Sequence, residues 1–163
     1  MEWKRLRVGL GHDTHRLQPG GPLLLGGIDI PFGYSAVGHS DADVLLHAVT
    51  DSILGAAALG DIGDMFPDTD PRNKDRDSVE MLTMAMESVK ASGYEIINLD
   101  CIVFLQKPKL ASHKRRIAER IAAILDVSPD CAAIKAKTGE GIGSIGRQEA
   151  VMAQCAALLY RTT

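Results

Sequence analysis

Gly38-His39-Ser40-Asp41-Ala42-Asp43-Val44-Leu45-Leu46-His47-Ala48-Val49-Thr50-Asp51-Ser52-Ile53-Leu54 carries a strong periodic signal in the chain. Val44, Leu45, Ala48, Val49, Ile53 and Leu54 recur at three- and four-residue spacing, the period of a helix that buries one face. The spacing predicts a helix from Asp41 to about Leu59-Gly60, with Ser40 and Asp43 as a capping-box-like start. His47 interrupts the apolar pattern about two turns in, and Asp43 and Asp51 flank it one turn to either side. A polar stripe therefore runs along an otherwise apolar helix.

Upstream, Leu6 to Leu10 reads as a strand that ends in the polar cluster Gly11-His12-Asp13-Thr14-His15. Leu23 to Ile30 reads as strand material around a Gly26-Gly27 turn or bulge, closed by Pro31. Downstream, Gly60 to Pro71 is rich in turn residues and carboxylates, and irregular stretches of that length often carry function. Ser78 to Ser92 is a second amphipathic helix closed by Gly93, Ile96 to Leu105 a strand, Ser112 to Leu125 a third helix and Ala132 to Lys137 another strand. That alternation predicts an α/β or α+β layered architecture. In the tail, Gln148 to Tyr160, alanine-rich composition favours helix, while nearly continuous apolar content also suits a buried strand.

A chain of 163 residues fits one compact domain, expected to span residues 1–163. Hydrophobic residues at 45% and charged residues at 24% are ordinary for a water-soluble globular protein. A formal net charge of −3 lacks the basic footprint of a nucleic-acid binder, and Lys114-Arg115-Arg116 reads as a solvated helix face. Cys101, Cys131 and Cys155 are odd in number, widely spaced and without a C-x-x-C pair, which argues against a disulfide framework or thiolate zinc site and suits a reducing compartment. No apolar run approaches membrane-spanning length, and Met1 to Arg7 has none of the apolar core of an export signal. The expectation is a cytoplasmic protein with no membrane partner, or a plastid stromal one whose transit peptide has been removed.

Four of the five histidines, His12, His15, His39 and His47, crowd the first third of the chain, each beside an aspartate or a helix start. In an extended segment alternate side chains share a face, so Asp13 and His15 point together. If the helix packs over the end of the first strand, Asp13, His15 and His47 can converge as three zinc ligands with a fourth position open, which is the catalytic pattern. Asp51 is then a candidate acceptor orienting His47. His39 and Ser40 precede the helix, where unpaired N–H groups and the dipole favour a substrate phosphate. Lys135 to Arg147 follows a strand and is rich in glycine, cations and hydroxyls. Gly141 to Gly146 matches G-x-G-x-x-G, but too little chain follows for a dinucleotide fold, and no Gly-Lys-Ser/Thr ending makes a P-loop. Glu140 in that loop is a sensible ligand for a hard divalent ion that bridges phosphate oxygens.

Asp13-Thr14-His15, Gly38-His39-Ser40-Asp41-Ala42-Asp43-Val44 with His47, Gly55 to Gly63, Phe66-Pro67-Asp68-Thr69-Asp70-Pro71, Lys107-Pro108-Lys109-Leu110 and Lys135-Ala136-Lys137-Thr138 with Glu140, Gly146 and Arg147 occur in this order. Together they resemble the 2-C-methyl-D-erythritol 2,4-cyclodiphosphate synthase family along about nine-tenths of the chain. The resemblance implies an α/β subunit whose single mixed sheet is packed by helices on one side. Three such sheets face each other in a homotrimer with active sites between subunits, and the tail becomes a strand lining the trimer core. It implies cyclisation of 4-diphosphocytidyl-2-C-methyl-D-erythritol 2-phosphate with release of CMP, in the non-mevalonate isoprenoid precursor pathway.

By position, the resemblance makes Asp13, His15 and His47 the zinc ligands and Glu140 the ligand of a magnesium or manganese ion. His39, Ser40, Asp61, Gly63 and Asp68 fall where the family holds substrate. Leu105, Lys109, Leu110, Ala136 and Lys137 fall around the cytidine, with Thr138 beside the phosphates. The departures gather in the last loop: Lys137 and Gly139 stand where the family often has threonine, Ser144 and Ile145 where it has a Phe-Thr pair, and Gln148 and Ala150 where it has glycine. Of the features tied to an isoprenoid diphosphate site on the trimer axis, only Arg147 is retained. Two other readings stay open: a zinc phosphohydrolase acting on a nucleotide, and a non-catalytic trimeric binding protein.

Overall fold

The computed structural model describes residues 2–162, so Met1 and Thr163, the outer limits of the expected domain, lie outside the described residues. A short 3-10 turn leads into β1 (Leu6–Pro19), a strand of 14 residues that passes straight through the polar cluster where the sequence predicts an end. The extension has a non-local cause. β1 pairs antiparallel with β7 (Ala150–Arg161) from Leu6↔Tyr160 to Arg16↔Ala150, and beyond that with β4 (Tyr34–Val37), so its partners carry the polar residues into the sheet.

β2 (Leu23–Leu24) and β3 (Asp29–Ile30) form a separate two-stranded ribbon, turned by Gly26 and Gly27 at φ 65° and 71°. The main sheet has the order β4-β1-β7-β5-β6. β5 (Tyr94–Phe104) runs antiparallel to β7 and parallel to β6 (Ala132–Lys137), so the sheet is mixed. The tail is therefore the central strand, against its helix propensity. Val151, Ala153, Cys155, Ala157 and Leu159 are buried on one face and alternate with more open positions on the other, the period of two that strand pairing imposes.

The helices α1 (Val44–Ala57), α3 (Ser78–Ala91) and α4 (Lys114–Leu125) supply the core side chains Leu45, Leu46, Ile53, Leu82, Ile117 and Leu125. α1 begins three residues later than predicted because Asp43 is itself the cap. Its Oδ1 accepts from Leu45 N and Leu46 N, and the same carboxylate takes Gly26 N at 2.9 Å and Gly27 N at 2.7 Å, tying the β2–β3 turn to the helix start. Burial pushes this carboxyl above its ordinary range even against those donors. The helix stops at Ala57, with Ala58 left-handed at φ 58°, short of the predicted Leu59-Gly60. The Gly60–Pro71 stretch is less irregular than its composition predicts, because Asp61 and Asp64 make a capping box for the short α2 (Ile62–Met65). A second short helix, α5 (Gly143–Gly146), lies in the last loop.

α1 can lie close on the sheet because β1 presents no side chain there. A Cβ added at Gly9 would stand 1.9 Å from Ser52 O, and one at Gly11 1.8 Å from Ala48 O. On the opposite face of β1, Val8 and Leu10 are 75% and 73% exposed.

Candidate metal centre and nucleotide cavity

Asp13 and His15 sit two residues apart on β1, on the face toward the helices, and His47 projects from α1 one residue before the Gly11–Ala48 contact. The predicted convergence occurs. His47 Nδ1 lies 2.9 Å and His15 Nε2 3.0 Å from Asp13 Oδ2, and the two nitrogens are 3.1 Å apart. Among the described residues these three form a group able to hold a metal ion. Each is held from behind: Thr14 N donates to Asp13 Oδ1 at 2.8 Å, and the Val37 backbone accepts from the His15 ring. Gly38 leaves room for that ring, since a Cβ there would stand 2.9 Å from His15 Cε1.

A tetrahedral zinc ion with bonds of about 2.0–2.1 Å sets its ligand atoms about 3.4 Å apart. The observed edges are a few tenths of an ångström shorter, so a small outward relaxation of two imidazole nitrogens and one carboxylate oxygen accommodates such an ion. The donor set fits. Without an ion the three groups pair with one another: burial works to raise Asp13, but hydrogen bonds and charge from His15 and His47 hold its carboxyl well below the usual range. Burial works to lower His15, and the Asp13 hydrogen bond and charge raise it instead.

Asp51 does not orient His47. Its carboxylate accepts Ile62 N at 2.8 Å, and burial, then the charges of Asp61 and Asp13, raise it. With Nδ1 turned to Asp13, the far side of the His47 ring faces the start of α3, where Nε2 meets Ser78 Oγ at 2.8 Å and Ser40 Oγ at 3.0 Å. Asp41 accepts Ser78 N at 2.9 Å and the Ser78 hydroxyl. Sequence reasoning missed these two residues as parts of the site, because a serine that opens a helix reads as a cap.

Beside the triad lies a cavity of about 400 Å³ whose lining includes His15, His47, His39, Ser40, Gly63 and Asp68. Asp61 is not in that lining; its side chain caps α2 by accepting Asp64 N at 2.9 Å. Leu105, Lys109, Leu110, Ala136, Lys137, Thr138 and Glu140 line a different cavity of about 470 Å³. There the Thr138 hydroxyl donates to Glu140, whose backbone is left-handed at φ 49°. Arg147 lines neither cavity and pairs with Glu149 at 2.9 Å on the surface.

The registers relate the two cavities. Asp13 pairs with Ala153, Ala153 with Val103 and Val103 with Ala136, one transverse row across β1, β7, β5 and β6. Three strand spacings, about 14 Å, separate its ends.

A mixed five-stranded sheet covered by helices on one face, with an Asp-His-His group where β1 meets α1, defines an α/β protein whose triad is able to hold a metal ion. Residues 6–160 match the model of the YgbB family, and the chain belongs to that family. It is 51% identical over 156 residues to the 2-C-methyl-D-erythritol 2,4-cyclodiphosphate synthase of Neisseria gonorrhoeae, covering 96% of this chain and 98% of that one. Among solved structures, the bifunctional IspDF from Campylobacter jejuni superposes with a TM-score of 0.92 at 41% identity over 96% of this chain, which spans 42% of that longer protein. A 2C-methyl-D-erythritol-2,4-cyclodiphosphate synthase in its CDP-bound form gives a TM-score of 0.86 at 38% identity, covering 94% of this chain and 99% of that one.

Proposed function

We propose that this chain catalyses cyclisation of 4-diphosphocytidyl-2-C-methyl-D-erythritol 2-phosphate to 2-C-methyl-D-erythritol 2,4-cyclodiphosphate, releasing CMP, within non-mevalonate isoprenoid precursor synthesis. The observation that carries this reading is the Asp13–His15–His47 triangle, with edges of 2.9 to 3.1 Å, opening on a cavity in a chain of which 96% aligns with 98% of such a synthase. Asp13, His15 and His47 would hold zinc and Glu140 a magnesium or manganese ion, which when bound polarise the attacked β-phosphate and offset charge on the departing CMP.

The chain's own residues bind and orient. His39 and Ser40, in the loop before α1, hold the erythritol phosphate together with Gly63 and Asp68 of the same cavity lining. Asp61 contributes by fixing α2, on which Gly63 sits. Leu105, Leu110 and Ala136 give the cytosine an apolar seat, and Lys109 and Lys137 neutralise diphosphate charge. Thr138, whose single hydroxyl proton goes to Glu140 in the free chain, turns that proton to the phosphates when they bind. No protein nucleophile is needed, because the 2-phosphate oxygen attacks within one bound molecule, and good alignment of an intramolecular attack contributes roughly 7–11 kcal/mol.

The assembly we infer is a homotrimer with sheets facing inward and active sites between subunits. Two observations support it: the exposed Val8 and Leu10 on the helix-free face, and the distance of about 14 Å between the triad row and Ala136 within one chain. A neighbour's nucleotide cavity beside this chain's triad completes a site. The fold contains no helix long and apolar enough to cross a membrane among the described residues, and the free thiols fit a reducing compartment such as the bacterial cytoplasm.

Incubating the purified protein with the cytidylyl substrate, zinc and magnesium tests the proposal. Cyclic diphosphate and CMP should appear in equal amounts by phosphorus NMR. Linear hydrolysis products alone would reassign the chain as a zinc phosphohydrolase, and no turnover with bound nucleotide would reassign it as a binding protein.

A further inference from the structure

We infer that Asp41 and Ser78 are positioning residues of the metal centre, a partly buried hydrogen-bonded relay that fixes the tautomer and direction of the His47 ring. The inference rests on the zinc reading of the triad given above.

A neutral imidazole carries one proton, and a metal ligand must present its bare nitrogen to the ion. Nδ1 of His47 faces Asp13 and His15, so the required tautomer has its proton on Nε2. What lies behind Nε2 decides whether that tautomer is enforced. Ser78 Oγ is 2.8 Å away and fully buried. A hydroxyl has one proton, and that of Ser78 is engaged by Asp41 Oδ1, a carboxylate that can only accept. Ser78 Oγ therefore turns a lone pair to His47, and Nε2 must donate. The negative charge of Asp41 strengthens that bond through the polarised hydroxyl and makes Nδ1 a better ligand.

The relay is built rather than incidental. Asp41 Oδ2 also takes Ser78 N at 2.9 Å. The backbones on either side are stitched together, Asp41 N to Arg76 O at 3.2 Å and Asp75 N to His39 O at 2.9 Å, so the loop before α1 and the start of α3 move as one. Ser40, the other hydroxyl near Nε2, has a different situation. It lines the cavity, which Ser78 does not, and is therefore free to meet substrate. The two serines divide the work: Ser78 holds the ligand, and Ser40 faces what binds.

The test measures zinc affinity of the metal-free protein by competition with a chromophoric chelator, together with the visible spectrum of the cobalt-substituted form. Ser78→Ala should weaken zinc by about 10- to 100-fold and alter the cobalt bands, with circular dichroism unchanged. Ser78→Thr, which restores the hydroxyl, should recover most of the loss. Asp41→Asn, which keeps the side-chain size, is a second arm expected to weaken zinc in the same direction. A Ser78→Ala affinity within a factor of three of the parent, with unchanged cobalt bands, overturns the inference. If instead the parent binds no zinc, or keeps its zinc when Asp13 is replaced by Asn, it is the triad assignment that falls.

Discussion

Gly11→Ala is the sharpest perturbation the structure offers, because it leaves every ligand intact and moves one of them. The new Cβ would stand 1.8 Å from the Ala48 carbonyl oxygen and 2.8 Å from Ser52 N, both backbone atoms that cannot rotate away. Relief to ordinary contact near 3.4 Å demands that α1 retreat from β1 by roughly 1.6 Å. His47 is the residue before Ala48, and Asp13 lies two residues beyond Gly11, so the retreat stretches their 2.9 Å contact toward about 4.5 Å. Bonds of about 2.0–2.1 Å to one ion cannot span that gap, and functional constellations tolerate only about 0.5 Å. We expect at least a 100-fold loss of zinc affinity and a stability loss of about 3 kcal/mol, the upper end for overpacking because backbone meets backbone. Gly55→Ala in the same helix is the control: nothing lies within 4 Å of its added Cβ, and helix propensity alone should stabilise by up to about 1 kcal/mol. Urea unfolding at fixed protein concentration and chelator competition read both. A Gly11→Ala protein with parental zinc affinity and midpoint would refute the claim that α1 is seated on a bare strand.

Three further outcomes are expected. Asp43→Ala strands the N–H groups of Gly26, Gly27, Leu45 and Leu46 at the start of α1, and calorimetry should show a loss of at least about 3 kcal/mol, with Asp43→Asn milder because one acceptor oxygen remains. Val8→Lys puts an ammonium on the exposed apolar sheet face; sedimentation should show trimer giving way to monomer, and an unchanged trimer would move the interface elsewhere. Asp51 is raised by burial, so its ionisation costs stability: the penalty is absent below the ordinary value of 3.8 and complete above the raised folded value. Asp51→Asn should therefore gain stability over the parent at pH 7, with the gain shrinking toward pH 4, as followed by urea midpoints.

The sequence revealed most where a signal was local. α1 was legible because its apolar positions follow the helical period, and the candidate metal triad because alternation along a strand puts Asp13 and His15 on one side while His47 sits in a polar stripe on an otherwise apolar helix. β1 beyond Leu10 was not legible. Its polar residues show no hydrophobic alternation, and what keeps them extended is β7, contributed by the far end of the chain. The same partnership settles the tail: alanine and leucine favour helix in isolation, but a segment flanked by β1 and β5 has its N–H and C=O groups satisfied on both sides only as a strand.

Asp41 and Ser78 show the other kind of illegibility. An aspartate before one helix and a serine opening another each have an adequate local role, so nothing in either neighbourhood points outward; only the stitching of residues 39–41 to 75–76 brings them behind His47. The cavity proposed for the nucleotide poses the problem on a larger scale. Lys137 is level with Thr14 in the sheet, through Met152 and Phe104, yet three strands away. A diphosphate held at Lys137 and Thr138 thus cannot also lie against the triad of the same chain unless the nucleotide bridges about 14 Å of sheet. In the proposed homotrimer, burying the apolar face of β1 against a second copy would remove Val8 and Leu10 from water, and the same assembly would have to bring that copy's last loop to this chain's Asp13, His15 and His47. One requirement of physics, covering an exposed apolar face, and one of chemistry, joining two half-sites, would then be met by the same proposed assembly. That is why Val8→Lys should abolish turnover even though it touches neither substrate nor metal.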